Sequence, residues 1–355
     1  MKIIRQSLAF DVDSKELKVC FQVLLEGRFT VKTKGSRTFK NTLAGFKSIV
    51  EWSEKKRIAD IPVHLVMEAT GVYYENAAYF FSDKTDYIVH VVLGSVSNAY
   101  FKSLNLKSKT DKIDAKALAQ LGLERDLQVW KPITSQMHTI KKLVRERLRL
   151  SKEKTMVSNQ LHAELASYHS NPNVIKRYKS RILFIGKQLK EIEKGLKREV
   201  KADENLKEKI ENICEAKGLG FITVVGVIAE YNGFILFKNR SQVVSYAGYD
   251  VVRKESGTSI NGRRKISKRG NSKVRKMMYM AAMSSAVHDE HNRNYYNRIV
   301  DKTGLKMKGN VAIQRKLLLL IYTLFKSGEK YDPYHYLEMQ KRLEPKKEIE
   351  LEKVA

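Results

Sequence analysis

Cysteine is scarce in this chain, which has two thiols, Cys20 and Cys214, among 355 residues. Two cysteines so far apart in sequence build neither a disulfide framework nor a zinc site, so we expect a reduced, cytoplasmic protein. Long hydrophobic runs are also missing. The best candidate, residues 317–325, lies between Lys316 and Lys326 and is shorter than the ~18–20 residues of a membrane span. The N-terminus lacks the features of a secretory signal, and we expect no membrane partner.

Acidic residues are few relative to basic ones. The chain has 39 Asp and Glu against 67 Lys and Arg, for a net charge of +28. An excess of this size favours a polyanionic partner, and nucleic acid is the first candidate. The sequence also lacks a Walker motif, which agrees with chemistry that uses no ATP. The hydrophobic content of 43% is ordinary, and the length suffices for two domains with a sizeable core.

Residues 1–130 predict an α/β domain with the element order βββαβαβα. β-rich runs bounded by turn residues predict strands over residues 3–12, 17–25, 29–33, 63–67 and 87–93. Helical periodicity predicts helices over residues 39–56 and 73–82, near Val96, and from Asp111 to about Arg125. A sheet of this order is the ribonuclease-H-like arrangement.

Four carboxylates stand at positions that this fold brings to one edge. Asp11 ends the apolar run of the first strand, Glu68 ends the fourth strand, and Asp111 and Asp114 share a face at the start of the last helix. Converging carboxylates repel one another unless cations lie between them, and oxygen ligands suit Mg²⁺ or Mn²⁺. Two simpler interpretations stay open. Aspartate in a first helical turn offsets the helix dipole, and Asp13 is an alternative to Asp11 by position alone.

The rest of the chain predicts a mostly helical structure. Residues 131–215 form two long amphipathic helices broken at residues 171–173, which we interpret as a coiled-coil linker and dimerisation region. Residues 216–335 form a second domain, and the Gly218-Leu219-Gly220 segment in it is either a phosphate-gripping helical hairpin or a plain turn. His288 and His291 indicate a helix surface. Residues 336–355 are a charged tail that we expect to be disordered.

A basic segment without acidic residues leads into a helix of the second domain. Such a loop at a helix N-terminus is a phosphate-binding design. Serine in the neighbouring Gly-rich loop, such as Ser256, is more often a turn former than a nucleophile. We expect nucleic-acid contacts from Arg263, Arg264, Lys265, Lys268, Arg269, Lys273 and Arg275, and from Lys109, Lys112 and Lys116 beside the first-domain aspartates.

The N-terminal motifs resemble a known family. Asp11, the segment Glu68-Ala69-Thr70-Gly71-Val72-Tyr73 and residues 109–119 together resemble the DEDD domain of the IS110-family transposases. The resemblance implies a RuvC-like nuclease fold in which Asp11, Glu68, Asp111 and Asp114 are the metal ligands.

The C-terminal motifs resemble the serine transposase domain of the same family. They are Tyr246-Ala247-Gly248, Ser256-Gly257, residues 266–271 and Arg275. The resemblance implies that Ser256 is the nucleophile, with Ser259 and Ser267 as its competitors. Glu255 departs from the pattern, because relatives often have serine or glutamine before the nucleophile.

The resemblance implies an RNA-guided, site-specific DNA recombinase that cleaves and rejoins DNA through a phosphoserine–DNA intermediate. It further implies a structured non-coding bridge RNA that pairs with target and donor DNA. The protein would be a dimer that pairs into a tetramer with active sites shared between subunits, in the bacterial cytoplasm or nucleoid. Two alternatives stay open: a RuvC-like, junction-resolving endonuclease in which water attacks, and a non-catalytic nucleic-acid-binding scaffold.

Overall fold

The computed structural model describes residues 2–27, 30–105, 110–252 and 265–335, with the backbone of two short strands at 255–256 and 260–261. The chain divides into two compact units, Met1–Pro132 and Ile133–Ala355. None of the helices in these described ranges is long and apolar enough to cross a membrane. The tail predicted at 336–355 lies outside the described residues.

The first unit is the predicted α/β domain. Its sheet has the order β3-β2-β1-β4-β5; β1 pairs antiparallel with β2 and parallel with β4, and the fold class is confirmed. Its elements are β1 (Ile3–Val12), β2 (Glu16–Leu25), β3 (Thr30–Lys40), α1 (Leu43–Glu54), β4 (Val63–Glu68), α2 (Glu75–Lys84), β5 (Ile88–Val92), α3 (Gly94–Ser103) and α4 (Asp111–Glu124).

The boundary between the third strand and the first helix differs from the prediction. The sequence pattern predicts a helix that starts at Phe39, but Phe39 pairs with Leu17 in the β2–β3 ladder and is buried in the core. The strand therefore continues to Lys40, and the helix begins only after Thr42, whose hydroxyl accepts a hydrogen bond from the Gly45 N–H at 3.3 Å. Burial of an aromatic side chain in the sheet outweighed the helical periodicity of this segment.

Alternation along the central strands gives the sheet two apolar faces. Phe10 and Met67 belong to the core cluster that includes α1 and α2, whereas Ala9 and Val66 belong to the cluster that includes α4. Helices therefore cover both faces, and β1 and β4 are buried on both sides, as is usual for strands with parallel neighbours. The residues that follow in sequence keep this alternation, so each face can be assigned from the strand pattern.

Gly122 sets how α4 lies on the sheet. A Cβ atom at this position would come within 2.4 Å of Ser7 Oγ and 2.6 Å of a Val66 methyl group, so only glycine allows this close approach. Eight helical residues and four strand residues each span roughly 12–13 Å. Because α4 crosses β1 at Gly122 and Ser7, the start of α4 comes opposite the end of β1.

Gly122→Ala is expected to lower the free energy of unfolding by about 1–2 kcal/mol, because the added methyl group overpacks this contact. Urea unfolding followed by circular dichroism measures the change. Gly186→Ala is the matched control: Gly186 lies inside an exposed helix with nothing within 4 Å of a Cβ, so alanine there should stabilise the protein by about 0.5–1 kcal/mol. A stabilising Gly122→Ala would contradict the close contact.

In the part that the structure describes, the second unit is helical apart from two pairs of two-residue strands. Its elements are α5 (Ser135–Ala166), α6 (Pro172–Lys201), α7 (Glu204–Cys214), α8 (Phe221–Glu230), a 3-10 turn (Asn232–Phe234), α9 (Arg240–Ala247), β6 (Val251–Val252), β7 (Glu255–Ser256), β8 (Ile260–Asn261), β9 (Lys265–Ile266), α10 (Ser272–His288), α11 (Glu290–Thr303) and α12 (Lys306–Ser327).

The helix surface predicted around His288 and His291 is interrupted. Asp289 ends α10, and its carboxylate accepts a hydrogen bond from the Asn292 N–H at 2.9 Å, which starts α11. The two histidines therefore lie on different helices. Aspartate competes with the helical backbone in this way because its short side chain satisfies an N–H group of the next helix.

Candidate active site

Asp11 and Glu68 lie at the ends of adjacent parallel strands. Phe10 of β1 pairs with Met67 of β4, so the next residue of each strand is Asp11 or Glu68. By the alternation of the strands, both residues project to the face that carries Ala9 and Val66, which is the face covered by α4. Both side chains are half-buried.

The two α4 carboxylates lie in the first turn of that helix. Thr110 is the N-cap, and its hydroxyl accepts a hydrogen bond from the Ile113 N–H at 3.4 Å. Asp111 is exposed and Asp114 is half-buried. The Gly122 contact places this end of α4 at the end of β1, where Asp11 lies.

The charges of these four groups act on one another. Burial first, and then the negative charges of Asp111, Asp114 and Glu68, raise the pKa of Asp11 from 3.8 to about 6. Each of the three carboxylates is thus near enough to oppose ionisation of Asp11. Among the described residues, however, no three Asp, Glu, His or Cys side chains are gathered closely enough to hold a metal ion. The four carboxylates are hard oxygen donors, the kind of ligand that suits Mg²⁺ or Mn²⁺.

Glu68 is held by a residue that the sequence did not indicate. Ser97 of α3 is buried, and its hydroxyl donates a 2.5 Å hydrogen bond to Glu68 Oε2. The bond fixes one carboxylate oxygen of Glu68 in position. No sequence signal marks Ser97, because its role depends on the packing of α3 beside the end of β4.

Lys18 is a second residue that the sequence analysis missed. It pairs with Asp11 across the β1–β2 hairpin, and its ammonium group lies 2.8 Å from Glu16. The Glu16 carboxylate, and more weakly Asp111 and Asp11, raise the pKa of Lys18. The hairpin register could have placed Lys18 opposite Asp11. Of the predicted contact residues, Lys112 and Lys116 are exposed near this edge, and Lys109 lies outside the described residues.

In the second unit, the loop formed by residues 267–271 is fixed to the end of α9. The Ser267 N–H donates to the Asp250 carbonyl at 2.7 Å, the Lys268 N–H donates to Gly248 at 3.1 Å, and the Asn271 N–H donates to the Tyr246 carbonyl at 2.7 Å. Lys268 has a φ of 54°, an unusual conformation for a non-glycine residue that costs energy to maintain. The backbone contacts therefore impose this loop shape.

The predicted basic contact residues of this segment fall into two groups. Lys265, Lys268, Arg269 and Lys273 are exposed. Arg275 is instead half-buried and donates to the Ala247 carbonyl at 2.7 Å, so this guanidinium takes part in fixing the loop. Arg263 and Arg264 lie outside the described residues.

The buried carboxylate of Glu230 also holds this loop through a hydrogen bond from Asn271. Glu230 has a fully buried side chain that forms hydrogen bonds with Arg145 at 2.7 and 3.0 Å and accepts one from Asn271 at 2.7 Å. Burial alone would raise the pKa of Glu230, but Arg145, Asn271 and Lys141 outweigh it and lower that pKa. Asn271 also caps α10 through Lys273 and Val274 N–H groups, so Glu230 holds the start of α10 in place.

Ser256 lies in β7, which pairs antiparallel with β8 through Glu255 to Asn261 and Ser256 to Ile260. The side chains of Ser256 and Glu255, and the whole of Ser259, lie outside the described residues. The other competing serine, Ser267, donates its hydroxyl hydrogen bond to Asp250 Oδ1 at 2.8 Å. The structure thus brings the four acidic residues into electrostatic contact and places the serine in a hairpin strand of the helical unit.

Comparisons with known proteins identify the family. A model of IS110-type DEDD transposases matches residues 10–170, and a model of the IS116/IS110/IS902 transposase family matches residues 210–297. The pilin gene-inverting protein of Moraxella bovis is 25% identical over 300 residues, covering 83% of this chain and 90% of that protein. The pilin gene-inverting protein of Moraxella lacunata is 24% identical over 330 residues, which cover 92% of this chain and 97% of that protein. An uncharacterized 43.6 kDa protein of insertion element IS110 from Streptomyces coelicolor is 24% identical over 115 residues. These cover 32% of this chain and 28% of that protein.

A DEDD domain suggests the use of divalent metal ions, and membership of a transposase family implies DNA binding. The chain therefore belongs to the IS110 family of transposases, and it is an enzyme of the transposase and site-specific recombinase class.

Proposed function

We propose that this protein is an RNA-guided DNA recombinase in which Asp11, Glu68, Asp111 and Asp114 hold the divalent metal ions and Ser256 is the nucleophile. The observation that supports the acidic site is the pKa of Asp11, which the other three carboxylates and burial raise to about 6. A cluster whose members oppose one another's charge at a strand end is what a cation site requires. The ordering of Glu68 by Ser97 adds to this support.

The proposed reaction conserves the phosphodiester bond. Ser256 Oγ attacks the scissile phosphorus and forms a phosphoserine ester with one DNA end; the bond to the other DNA end breaks, and that end takes the proton as a free hydroxyl. Mg²⁺ or Mn²⁺, when bound, supplies charge stabilisation for the phosphate and favours the ionised hydroxyl. The freed or exchanged DNA hydroxyl then attacks the phosphorus of the phosphoserine ester. A DNA phosphodiester forms, the bond to Ser256 Oγ breaks, and Ser256 takes back a proton, so no ATP is needed.

In this proposal the exposed basic residues of both units hold the sugar–phosphate backbones. Lys112 and Lys116 serve the acidic site, and Lys265, Lys268, Arg269 and Lys273 extend from the loop that Glu230 and Asn271 fix. A loop of rigid shape presents these charges without an ordering cost at binding. Target and donor DNA are recognised through a structured guide RNA, which the net charge of +28 accommodates. The active assembly is a homodimer that pairs into a tetramer.

One experiment tests the metal, the covalent link and the guide together. The protein is expressed from its coding sequence with native flanking DNA, purified with its RNA, and incubated with end-labelled flanking DNA. We expect a denaturing gel to show a protein–DNA adduct whose formation requires Mg²⁺. The adduct should not form when the protein is treated with ribonuclease before the DNA is added. Cleaved DNA with no adduct would instead favour the water-using endonuclease. An adduct that survives RNA removal would contradict guidance by RNA.

A further inference from the structure

The second unit has a groove that neither the acidic site nor the Ser256 hairpin uses. It lies among α10, α11 and α12 and has a volume of about 560 Å³. Apolar side chains that remain open to solvent form part of its lining: Met283 is 45% exposed, Val287 58% and Met307 57%. Exposed apolar side chains that converge on one groove indicate a binding surface rather than incidental exposure. We call this feature the α10–α12 groove.

Two tyrosines line the α10–α12 groove from different helices. Tyr279 of α10 is 38% exposed, and Tyr296 of α11 is half-buried. Gly309 of α12 fixes the Tyr296 ring, because a Cβ atom there would come within 2.7 Å of Tyr296 Cδ2. The ring is therefore held against α12 at this face. Aromatic rings set in this way are suited to stack on planar ligands, of which a nucleobase is the commonest in a DNA-binding enzyme.

The polar lining of the groove selects against cationic or purely apolar ligands. Arg293 and Lys306 lie at its edge, and Asn297 contributes an exposed amide. None of the described residues that line the groove is acidic. The Arg293 guanidinium donates a hydrogen bond to the Val287 carbonyl, which does not neutralise its charge. An apolar protein helix laid in this groove would bury that charge and the Lys306 ammonium with no acidic side chain in the lining to pair with them, at a high desolvation cost. Phosphates beside a base would pair with them.

The groove continues the basic surface of the loop. Lys276, Tyr279, Met283 and Val287 are spaced by three or four residues and form one stripe along α10. Lys273, one turn earlier, belongs to the exposed basic residues at the start of the same helix, and α10 contains no acidic residue. A strand held by its phosphates at the start of α10 can thus follow the stripe into the groove.

We propose that the α10–α12 groove binds an unpaired base of single-stranded DNA, with Tyr279 and Tyr296 as the stacking surfaces and Arg293 and Lys306 on the flanking phosphates. DNA is chosen because DNA binding follows from the family, whereas RNA binding is itself a proposal. The site rests on DNA binding and does not depend on the serine reaction. It would hold a nucleotide that becomes unpaired when duplexes are opened for strand exchange.

Fluorescence anisotropy with a labelled single-stranded DNA of mixed sequence tests the proposal. Full-length protein is treated with ribonuclease and kept in EDTA, so that neither cleavage nor guide RNA contributes. Tyr279→Ala should weaken single-strand binding by about tenfold, whereas Tyr279→Phe, which keeps the ring, should bind as the wild type does. Binding to the matching duplex should change less than twofold.

Tyr168→Ala is the matched control, since Tyr168 is 95% exposed and lies between α5 and α6. It should leave both affinities unchanged. Unchanged single-strand affinity in Tyr279→Ala, or an equal loss with the duplex, overturns the proposal. The same assay is repeated with a labelled single-stranded RNA after the ribonuclease has been removed. A loss confined to this RNA assigns the groove to RNA and overturns the DNA assignment. Because the assay contains neither a divalent metal ion nor guide RNA, its result does not depend on the proposed reaction, and the two proposals can fail separately.

Discussion

Asp11→Asn is expected to reduce DNA cleavage and joining by about 10³-fold or more. The substitution keeps the size of the side chain but removes one negative oxygen ligand, and charge stabilisation by a bound metal is worth several kcal/mol, which corresponds to a factor of this size. The rate of adduct formation at saturating Mg²⁺ measures the loss. Asp13→Asn is the control, because Asp13 is exposed beyond the end of β1 and its carboxylate accepts hydrogen bonds only from Ser14 and Lys15 among the contacts described. Its activity should stay within about twofold of the wild type.

Asp11→Asn should also raise the free energy of unfolding in EDTA. Such a rise would show that activity is lost because a metal ligand is missing and not because the structure is damaged. Asp11 has a pKa of about 6 in the folded protein and 3.8 ordinarily, because of burial and the three neighbouring charges. Between about pH 4 and 6 the folded state therefore holds a proton that the unfolded state has released. Stability contributed by this group falls as the pH rises through that window.

Urea unfolding at several pH values in EDTA measures this dependence. Relative to Asp11→Asn, the wild type should lose stability from pH 4 to 6, and above pH 6 the variant should be the more stable of the two. Added Mg²⁺ should raise the stability of the wild type more than that of the variant, since binding to the folded state stabilises it. A variant that unfolds more easily at pH 7.5 in EDTA would contradict the charge repulsion.

The acidic site could be predicted because its four carboxylates lie at the ends of two strands and at the start of a helix, which the sequence pattern marks. Asp11 and Glu68 close apolar runs, and the parallel pairing of β1 with β4 follows from the order of the elements, so their adjacency needs no knowledge of packing. Ser97 and Gly122 could not be found in this way. Their roles arise from how α3 and α4 lie on the sheet, and no local periodicity encodes those contacts.

In the basic loop, the sequence predicted the charge of the residues but not their tertiary contacts. Its charge predicted exposure and phosphate binding for every arginine and lysine alike, but Arg275 is drawn to the Ala247 carbonyl. The reason is tertiary: the loop folds back on the end of α9, more than twenty residues earlier, and that carbonyl needs a donor. Glu230 was likewise overlooked, because an acidic residue after an apolar run gives no sign of a partner as distant as Arg145.

Ser256→Ala is expected to abolish the covalent protein–DNA adduct completely. Alanine lacks the oxygen that forms the phosphoserine ester, so no other residue can restore the bond at this position. The four acidic residues are untouched, and Mg²⁺ should stabilise the variant against urea as it does the wild type. This retained response distinguishes loss of the nucleophile from loss of the metal site.

Ser267→Ala is the control variant that tests whether Ser256 or Ser267 is the nucleophile. Ser267 is eleven residues further along the chain, and its hydroxyl donates to Asp250 at 2.8 Å while accepting from the Arg269 N–H at 3.2 Å, so its place is in the shape of the loop. We expect its removal to slow adduct formation by about tenfold at most, since one hydroxyl hydrogen bond contributes about 1 kcal/mol. If Ser267→Ala were the variant that lost the adduct while Ser256→Ala kept it, the nucleophile would be Ser267, and Asp250 would be its hydrogen-bond acceptor in the reaction.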